Sequence, residues 1–262
     1  DETESYSYGL SGSQLIFDGF KTFDNVKAAQ EDIKSSQQNY RYVSSDVRYK
    51  LRSAFINLLK AQDLIAINQE IYEIRKSNYE LITLRYESGM EHKGALLTAE
   101  ANLLSAKNEI AKNSRALVVA QRQLLKELGK SEFESVNVIG DFKVNNDLLY
   151  EPDFKAIVEN NPSLKKAIAQ KNSAAFSVKA AQAGFFPKVT AVAAANKSGK
   201  HLEAQDSQQW SSGLSVSVPV FEGGLKQAQL EQARAVYNQA VENEKSVRNG
   251  LYSDLESSWA DL

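Results

Sequence analysis

The sequence predicts a mainly α-helical chain in which long antiparallel coiled-coil hairpins join a few antiparallel β-strands. Three observations carry this expectation. From Lys21 to Glu87 there is neither proline nor glycine, a run of roughly 65 residues that would span about 100 Å as a helix at 1.5 Å per residue. Within it, apolar residues recur at alternating spacings of four and three. Finally, a strand–turn–helix unit is written twice: GLSGSQLIFDGF from Gly9 to Phe20, and GLSVSVPVFEGG from Gly213 to Gly224. At a constant offset of 204, Gly9, Leu10, Ser11 and Ser13 match Gly213, Leu214, Ser215 and Ser217, and Phe17-Asp18-Gly19 matches Phe221-Glu222-Gly223. Such repetition marks an internal duplication.

The 262 residues suffice for one or two domains. A net charge of -2 points to neither nucleic acid nor an anionic membrane surface. Four prolines and thirteen glycines imply long regular elements. With no cysteine, a disulfide framework, a thiolate zinc site and a cysteine nucleophile are excluded. No run approaches the 18 or so consecutive apolar residues of a membrane-spanning helix. The chain opens on Asp1-Glu2-Thr3-Glu4 without a signal-peptide pattern, and its abrupt start suggests a segment of a longer protein.

From Tyr6 to Phe17, Tyr6, Tyr8, Leu10 and Ile16 alternate with Ser7, Ser11 and Ser13. This is a strand with one apolar and one wet side. A half-buried strand of a soluble sheet fits the pattern, and so does a membrane barrel with a small-residue lumen. Asp18-Gly19 ends the strand. The helix after it carries two seams, Val47, Leu51, Ala54, Leu58, Ala61, Ile65 and Leu64, Ile67, Ile71, Ile74, Leu81, so it should pack on two sides of a multi-helix assembly. It stops near Gly89, which suits a left-handed C-terminal position. A second helix is expected from about Ala95 to Glu127, with the seam Leu103, Ala106, Ile110, Asn113, Leu117, Ala120 and Leu124, closed by Leu128-Gly129. So short a loop makes the two helices antiparallel neighbours.

Beyond Lys130 the pattern is irregular, with a short strand expected over Val136 to Val144 and a short helix over Asp153 to Glu159. Pro162 starts an alanine-rich helix reaching about Ala183, a candidate to cover the first part of the long helix. Lys188 to Ala195 reads as a strand, Asn196 to Gln209 as a long polar hairpin loop, and Trp210 to Val220 as the returning strand. Pro219 donates no ladder hydrogen bond and should sit near that strand's end. Glu222-Gly223-Gly224 then turns into a helix still running at Trp259-Ala260-Asp261-Leu262.

These residues resemble the TolC-like outer-membrane efflux (channel-tunnel) family. The resemblance rests on Val218-Pro219-Val220-Phe221-Glu222-Gly223-Gly224 and its weaker copy Leu15-Ile16-Phe17-Asp18-Gly19. It rests also on Asn161-Pro162-Ser163-Leu164 followed by the alanine-rich helix and Phe186-Pro187-Lys188-Val189, and on Arg85-Tyr86-Glu87-Ser88-Gly89 at a helical hairpin. The order of these motifs across essentially the whole chain makes the match strong.

The resemblance implies a homotrimer in the bacterial outer membrane, each protomer giving four strands to a shared twelve-stranded barrel that continues as an α-helical periplasmic tunnel. This chain would hold three of those strands, one complete helical hairpin and the start of the other. Residues 1–20 and 188–222 would be barrel, 21–129 the tunnel hairpin, 130–162 the equatorial region, and 163–187 with 223–262 the second repeat's tunnel helices. Partners would be a periplasmic adaptor (membrane fusion protein) and an inner-membrane pump. The hairpin tip facing the adaptor would be Arg85, Tyr86, Gly89 and Met90; Glu91-His92-Lys93-Gly94 departs from the usual tip in its charge and extra glycine. The barrel-to-tunnel turns would be Phe17, Asp18, Gly19, Pro219, Phe221, Glu222, Gly223 and Gly224. The cargo, whether drug, metal ion or polypeptide, is not legible.

Catalysis finds little support. His92 and His201 fall in expected loops far apart in the chain, whereas metal sites need clustered ligands. Asp18 and Glu222 suit helix starts, accepting backbone N–H groups, and Gly223-Gly224 lacks either phosphate-loop pattern. No catalytic residue, cofactor or metal is therefore expected. Trp210, Tyr6 and Tyr8 fit a membrane-interface belt or a soluble sheet. Two functions remain: a passive outer-membrane exit duct for efflux or type I secretion, or a soluble coiled-coil protein resembling an adaptor.

Overall fold

The computed structural model describes residues 5–141, 152–200 and 207–261. In chain order the elements are β1 (Tyr6–Phe17), α1 (Lys21–Glu87), α2 (Lys93–Glu127), α3 (Phe154–Asn160), α4 (Pro162–Ala183), β2 (Lys188–Gly199), β3 (Ser207–Ser217) and α5 (Leu225–Ala260). The mainly helical class with a few antiparallel strands is borne out. Two compact units form, Asp1–Tyr42 with Glu151–Leu262, and Val43–Tyr150; α1 contributes to both. No described helix is long and apolar enough to cross a membrane.

In the Val43–Tyr150 unit the two sequence seams meet as expected. Ala54, Leu58 and Leu124 are buried together, with Leu51, Phe55, Leu117 and Ala120 packed against them. Leu58 is wholly inaccessible. The second seam behaves differently: Leu64, Ile67, Ile71, Ile74 and Leu81 all stand exposed. Helix α2 begins at Lys93 rather than Ala95, because His92 caps it.

The strand expected over Val136 to Val144 is corrected. Residues 136–141 carry no strand, and 142–144 lie outside the described residues. Glutamine amides take the place of a neighbouring strand. Val138 N–H donates to Gln62 Oε1 at 2.9 Å, while Gln62 Nε2 donates to the Val138 carbonyl at 3.0 Å. Gln121, which is buried, donates from Nε2 to the Val136 carbonyl at 3.0 Å. A side-chain amide has the donor and acceptor of a peptide group, so it satisfies extended backbone without a ladder. Val136 and Val138 thereby pack onto the α1–α2 core.

In the other unit β1, β2 and β3 form an antiparallel sheet in that order. The loop expected from Asn196 to Gln209 is also corrected. Asn196 pairs with Gln209, Lys197 with Gln208 and Ser198 with Ser207, and 201–206 lie outside the described residues. These side chains are polar, yet the ladder needs only their backbone. Strand β3 stops at Ser217 rather than Val220, where Pro219 has no N–H to donate. Asp153, expected inside the short helix, precedes it and accepts from the Ala156 N–H at 3.0 Å.

Alanines dominate the buried side of α4, with Ala167, Ala169, Ala174, Ala180 and Ala183. Small side chains let helix backbones approach closely, and α4 and α5 come within 8 Å between Cα atoms. Polar contacts tie α4 to the first part of α1: Lys166 Nζ donates to Asn39 Oδ1 at 3.0 Å, and Asn172 Nδ2 to Glu31 Oε2 at 3.4 Å. A charge cluster joins α3, α4 and α5. Lys171 meets Glu244 at 2.6 Å, and Arg248 pairs with both Glu244, at 3.0 Å, and Glu159. The Lys171 hydrogen bond, helped by Arg248, holds the Glu244 carboxyl below its ordinary value of 4.5 despite the opposing effect of burial.

A depressed folded-state value means that Glu244's contribution is present above about pH 4.5 and lost as pH falls through that lowered value. The denaturant midpoint of the wild-type protein should therefore drop more between about pH 6 and about pH 3 than that of Glu244→Gln. Equal drops in the two proteins would show that the cluster contributes nothing.

Candidate functional site

The cross-strand register sorts the sheet into two chemical faces. On one, Leu10, Ala195 and Trp210 lie in line, as do Gln14, Ala191 and Leu214. On the other, Ser11, Ala194 and Ser211 share a rung, and Ser7 lines up with Ser198 and Ser207. A register shift between Leu15 and Phe17 sets Phe17 opposite Val189, which moves Phe17 from the serine parity to the apolar face. Neither face is covered. Leu10, Trp210 and Leu214 are 81%, 78% and 74% exposed.

Both copies of the duplicated turn pass through left-handed backbone. Gly19 and Phe20 have φ of 71° and 70°; Gly223 and Gly224 have 60° and 84°. Phe20 aligns with Gly224 at the duplication offset, a signal present in the sequence and not read there. A phenylalanine with positive φ is uncommon and strained; its ring meets Phe17 edge to face at 5.5 Å between centroids.

The helix-start role expected of the two acidic residues holds for one. Asp18 Oδ2 accepts from the Thr22 N–H at 2.9 Å and from Thr22 Oγ1 at 2.6 Å. Glu222 does not cap: Gly224 occupies the N-cap with no side-chain hydrogen bond, and Glu222 pairs instead with Lys226 at 3.6 Å. The α4–β2 turn packs beside the first of these turns. A Cβ placed on Gly19 would stand 2.7 Å from Phe186 Cβ and 2.9 Å from the Ala183 carbonyl oxygen, whereas one on Gly223 would meet nothing within 4 Å. Pro219, Phe221 and Val220 extend between β3 and α5, and Phe221 and Val220 are exposed.

At the end of α1, Gly89 has φ of 76° and its N–H donates to the Tyr86 carbonyl at 3.0 Å. Met90 N–H donates to the Arg85 carbonyl at 2.8 Å, which completes a Schellman ending. Arg85, Tyr86, Gly89 and Met90 are all exposed at this tip. His92 Nδ1 accepts from the Ala95 N–H at 3.0 Å, and the missing side chain of Gly94 leaves room for its ring. His92 is thus a helix cap; His201 lies outside the described residues. Among the described residues no three His, Cys, Asp or Glu side chains cluster as metal ligands. Sequence reading missed Gln62, Gln121 and Phe20.

Comparison with known proteins decides the family. The outer membrane efflux protein family model matches residues 1–130 and 155–262. The chain belongs to the outer membrane efflux protein family. Among curated relatives, the outer membrane efflux protein BepC of Brucella suis is 20% identical over 97% of this chain and 56% of its own length. The alkaline protease secretion protein AprF of Pseudomonas aeruginosa is 25% identical over 88% of this chain and 49% of its own. The crystal structure of CusC superposes with a TM-score of 0.89 at 20% identity, covering 98% of this chain and 61% of that one. The chain spans about half the length of the curated relatives it matches. The fold is that of the channel-tunnels, and the family is one of channel proteins rather than enzymes. Outer membrane efflux proteins reside in the bacterial outer membrane with their helices in the periplasm, and that is the location of this one.

The two turns of this efflux-family chain should differ in tolerance. Gly19→Ala adds a backbone clash to the left-handed strain, whereas Gly223→Ala adds only strain of about 1 kcal/mol. In thermal unfolding of the full-length protein, Gly19→Ala should lower Tm clearly more than Gly223→Ala. Equal effects would contradict the packing of the first turn.

Proposed function

We propose that the full-length protein is a passive exit duct of a tripartite efflux or type I secretion system. The observation that supports it best is the sheet, whose uncovered faces, one largely apolar and one rich in serine, suit a barrel wall with lipid outside and water inside. Among the described residues β1 and β3 each have one strand neighbour, and open edges call for further strands. Under this reading residues 1–20 and 188–217 supply barrel wall, and the barrel-to-tunnel joints are Phe17-Asp18-Gly19 and Pro219 with Phe221-Glu222-Gly223-Gly224. The hairpin of α1 and α2 is tunnel wall, residues 130–162 are equatorial, and α4 and α5 are tunnel helices of the second repeat. A homotrimer would cover the exposed second seam of α1.

The duct itself performs no chemistry. An inner-membrane pump energises transport, and a periplasmic adaptor meets the hairpin tip at Arg85, Tyr86, Gly89 and Met90. CusC is named for cation efflux and AprF for protease secretion; this family likeness leaves the cargo class of the present protein open. The alternative of a soluble coiled-coil protein conflicts with the bare apolar sheet face.

The test is the full-length protein purified in detergent and inserted into planar bilayers, beside export measured in cells. Trimers with stepwise conductance are expected. The double variant Tyr86→Ala, Met90→Glu should conduct normally while export falls to that of a strain lacking the gene. A monomer soluble without detergent would overturn the duct, and normal export by the variant would overturn the tip assignment.

A further inference from the structure

The wet face of the sheet carries one fixed charge among its described strand residues. From Ser7 to Ser13 on β1, from Thr190 to Ser198 on β2 and from Ser207 to Ser217 on β3, every residue of that parity is uncharged. Lys188 is the exception. It opens β2, stands opposite Ser217, and shares its face with Thr190 and Ala194. It is exposed and forms no ion pair with any described residue. Of the carboxylates in the strand-to-helix turns, Asp18 accepts from Thr22 and Glu222 pairs with Lys226. The other lysine within β2, Lys197, lies on the apolar face, in line with Tyr8 and Gln208.

We propose that Lys188 is a charge-selectivity residue at the inner end of the barrel lumen, favouring small anions over cations. The inference rests on the duct reading given above. Lys188 stands on the serine-bearing face, which under the duct reading is the one in contact with water. There a charge acts on passing ions from a face whose other described strand residues are uncharged. Three copies acting over a distance on the order of 10 Å, attenuated by a Debye length of about 10 Å at 0.1 M salt, favour an anion and disfavour a cation about twofold each, and so change their permeability ratio about fivefold. Rings of basic side chains select anions in this manner.

The test is the reversal potential of the full-length protein in planar bilayers under a potassium chloride gradient. Lys188→Gln should lower the chloride-to-potassium permeability ratio about fivefold at 0.1 M salt. Lys188→Glu should lower it further, Lys197→Gln should leave it unchanged, and the Lys188 effects should grow as salt is reduced. Normal conductance with an unaltered ratio in both Lys188 variants would overturn the assignment alone. A wild-type protein that opens no conductance would overturn the duct reading, and this inference with it.

Discussion

The unit formed by Asp1–Tyr42 with Glu151–Leu262 is organised by how one three-stranded sheet satisfies its edges and its apolar face. Its backbone ladders are complete only at β2. The outer sides of β1 and β3 present backbone donors and acceptors that need partners, and residues such as Leu10, Trp210 and Leu214 have no protein cover. A soluble protein would lay a helix across such a face. Here α1, α4 and α5 instead join the sheet at strand ends. The sheet therefore needs its surroundings, and a closed barrel in lipid meets both demands together.

The joints follow from that demand. Under the duct reading a strand in a barrel wall and a helix in a tunnel wall run in succession, so the chain must change secondary structure abruptly. Consecutive left-handed residues make this turn in both copies, Gly19-Phe20 and Gly223-Gly224. The first copy is locked by packing, because Phe186 and the Ala183 carbonyl fill the space beside Gly19. The second stands open, with Glu222 drawn toward Lys226 rather than capping the helix. One motif, used twice, thus gives one tightly packed joint and one looser one.

Much of this was legible in the residues. The absence of proline and glycine from Lys21 to Glu87, with four-three seams, was enough to mark α1, and the α2 seam packs as its spacing implied. The serine alternation marked the sheet's two faces, though the register shift near Leu15 placed Phe17 against its parity. Side-chain substitutes for backbone partners were not legible. Val136 and Val138 have strand composition, yet Gln62 and Gln121 bind them in place of a strand. Conversely, Asn196 to Ser198 and Ser207 to Gln209 look like loop because composition reports side chains, while a ladder is made by backbone. At the tip, Gly89 was legible as a helix end, but the capping use of His92 needed the geometry of its ring beside Gly94.

The alternation of lipid and water across the sheet is the claim on which the account stands. It is tested most directly by single cysteines placed in the full-length protein, on a background free of other cysteines, and probed in intact membranes with a membrane-impermeant thiol reagent. Leu10→Cys and Leu214→Cys should stay unlabelled, while Ser11→Cys and Ser211→Cys label readily. Labelling of all four positions alike would contradict a sheet with lipid on one face and water on the other.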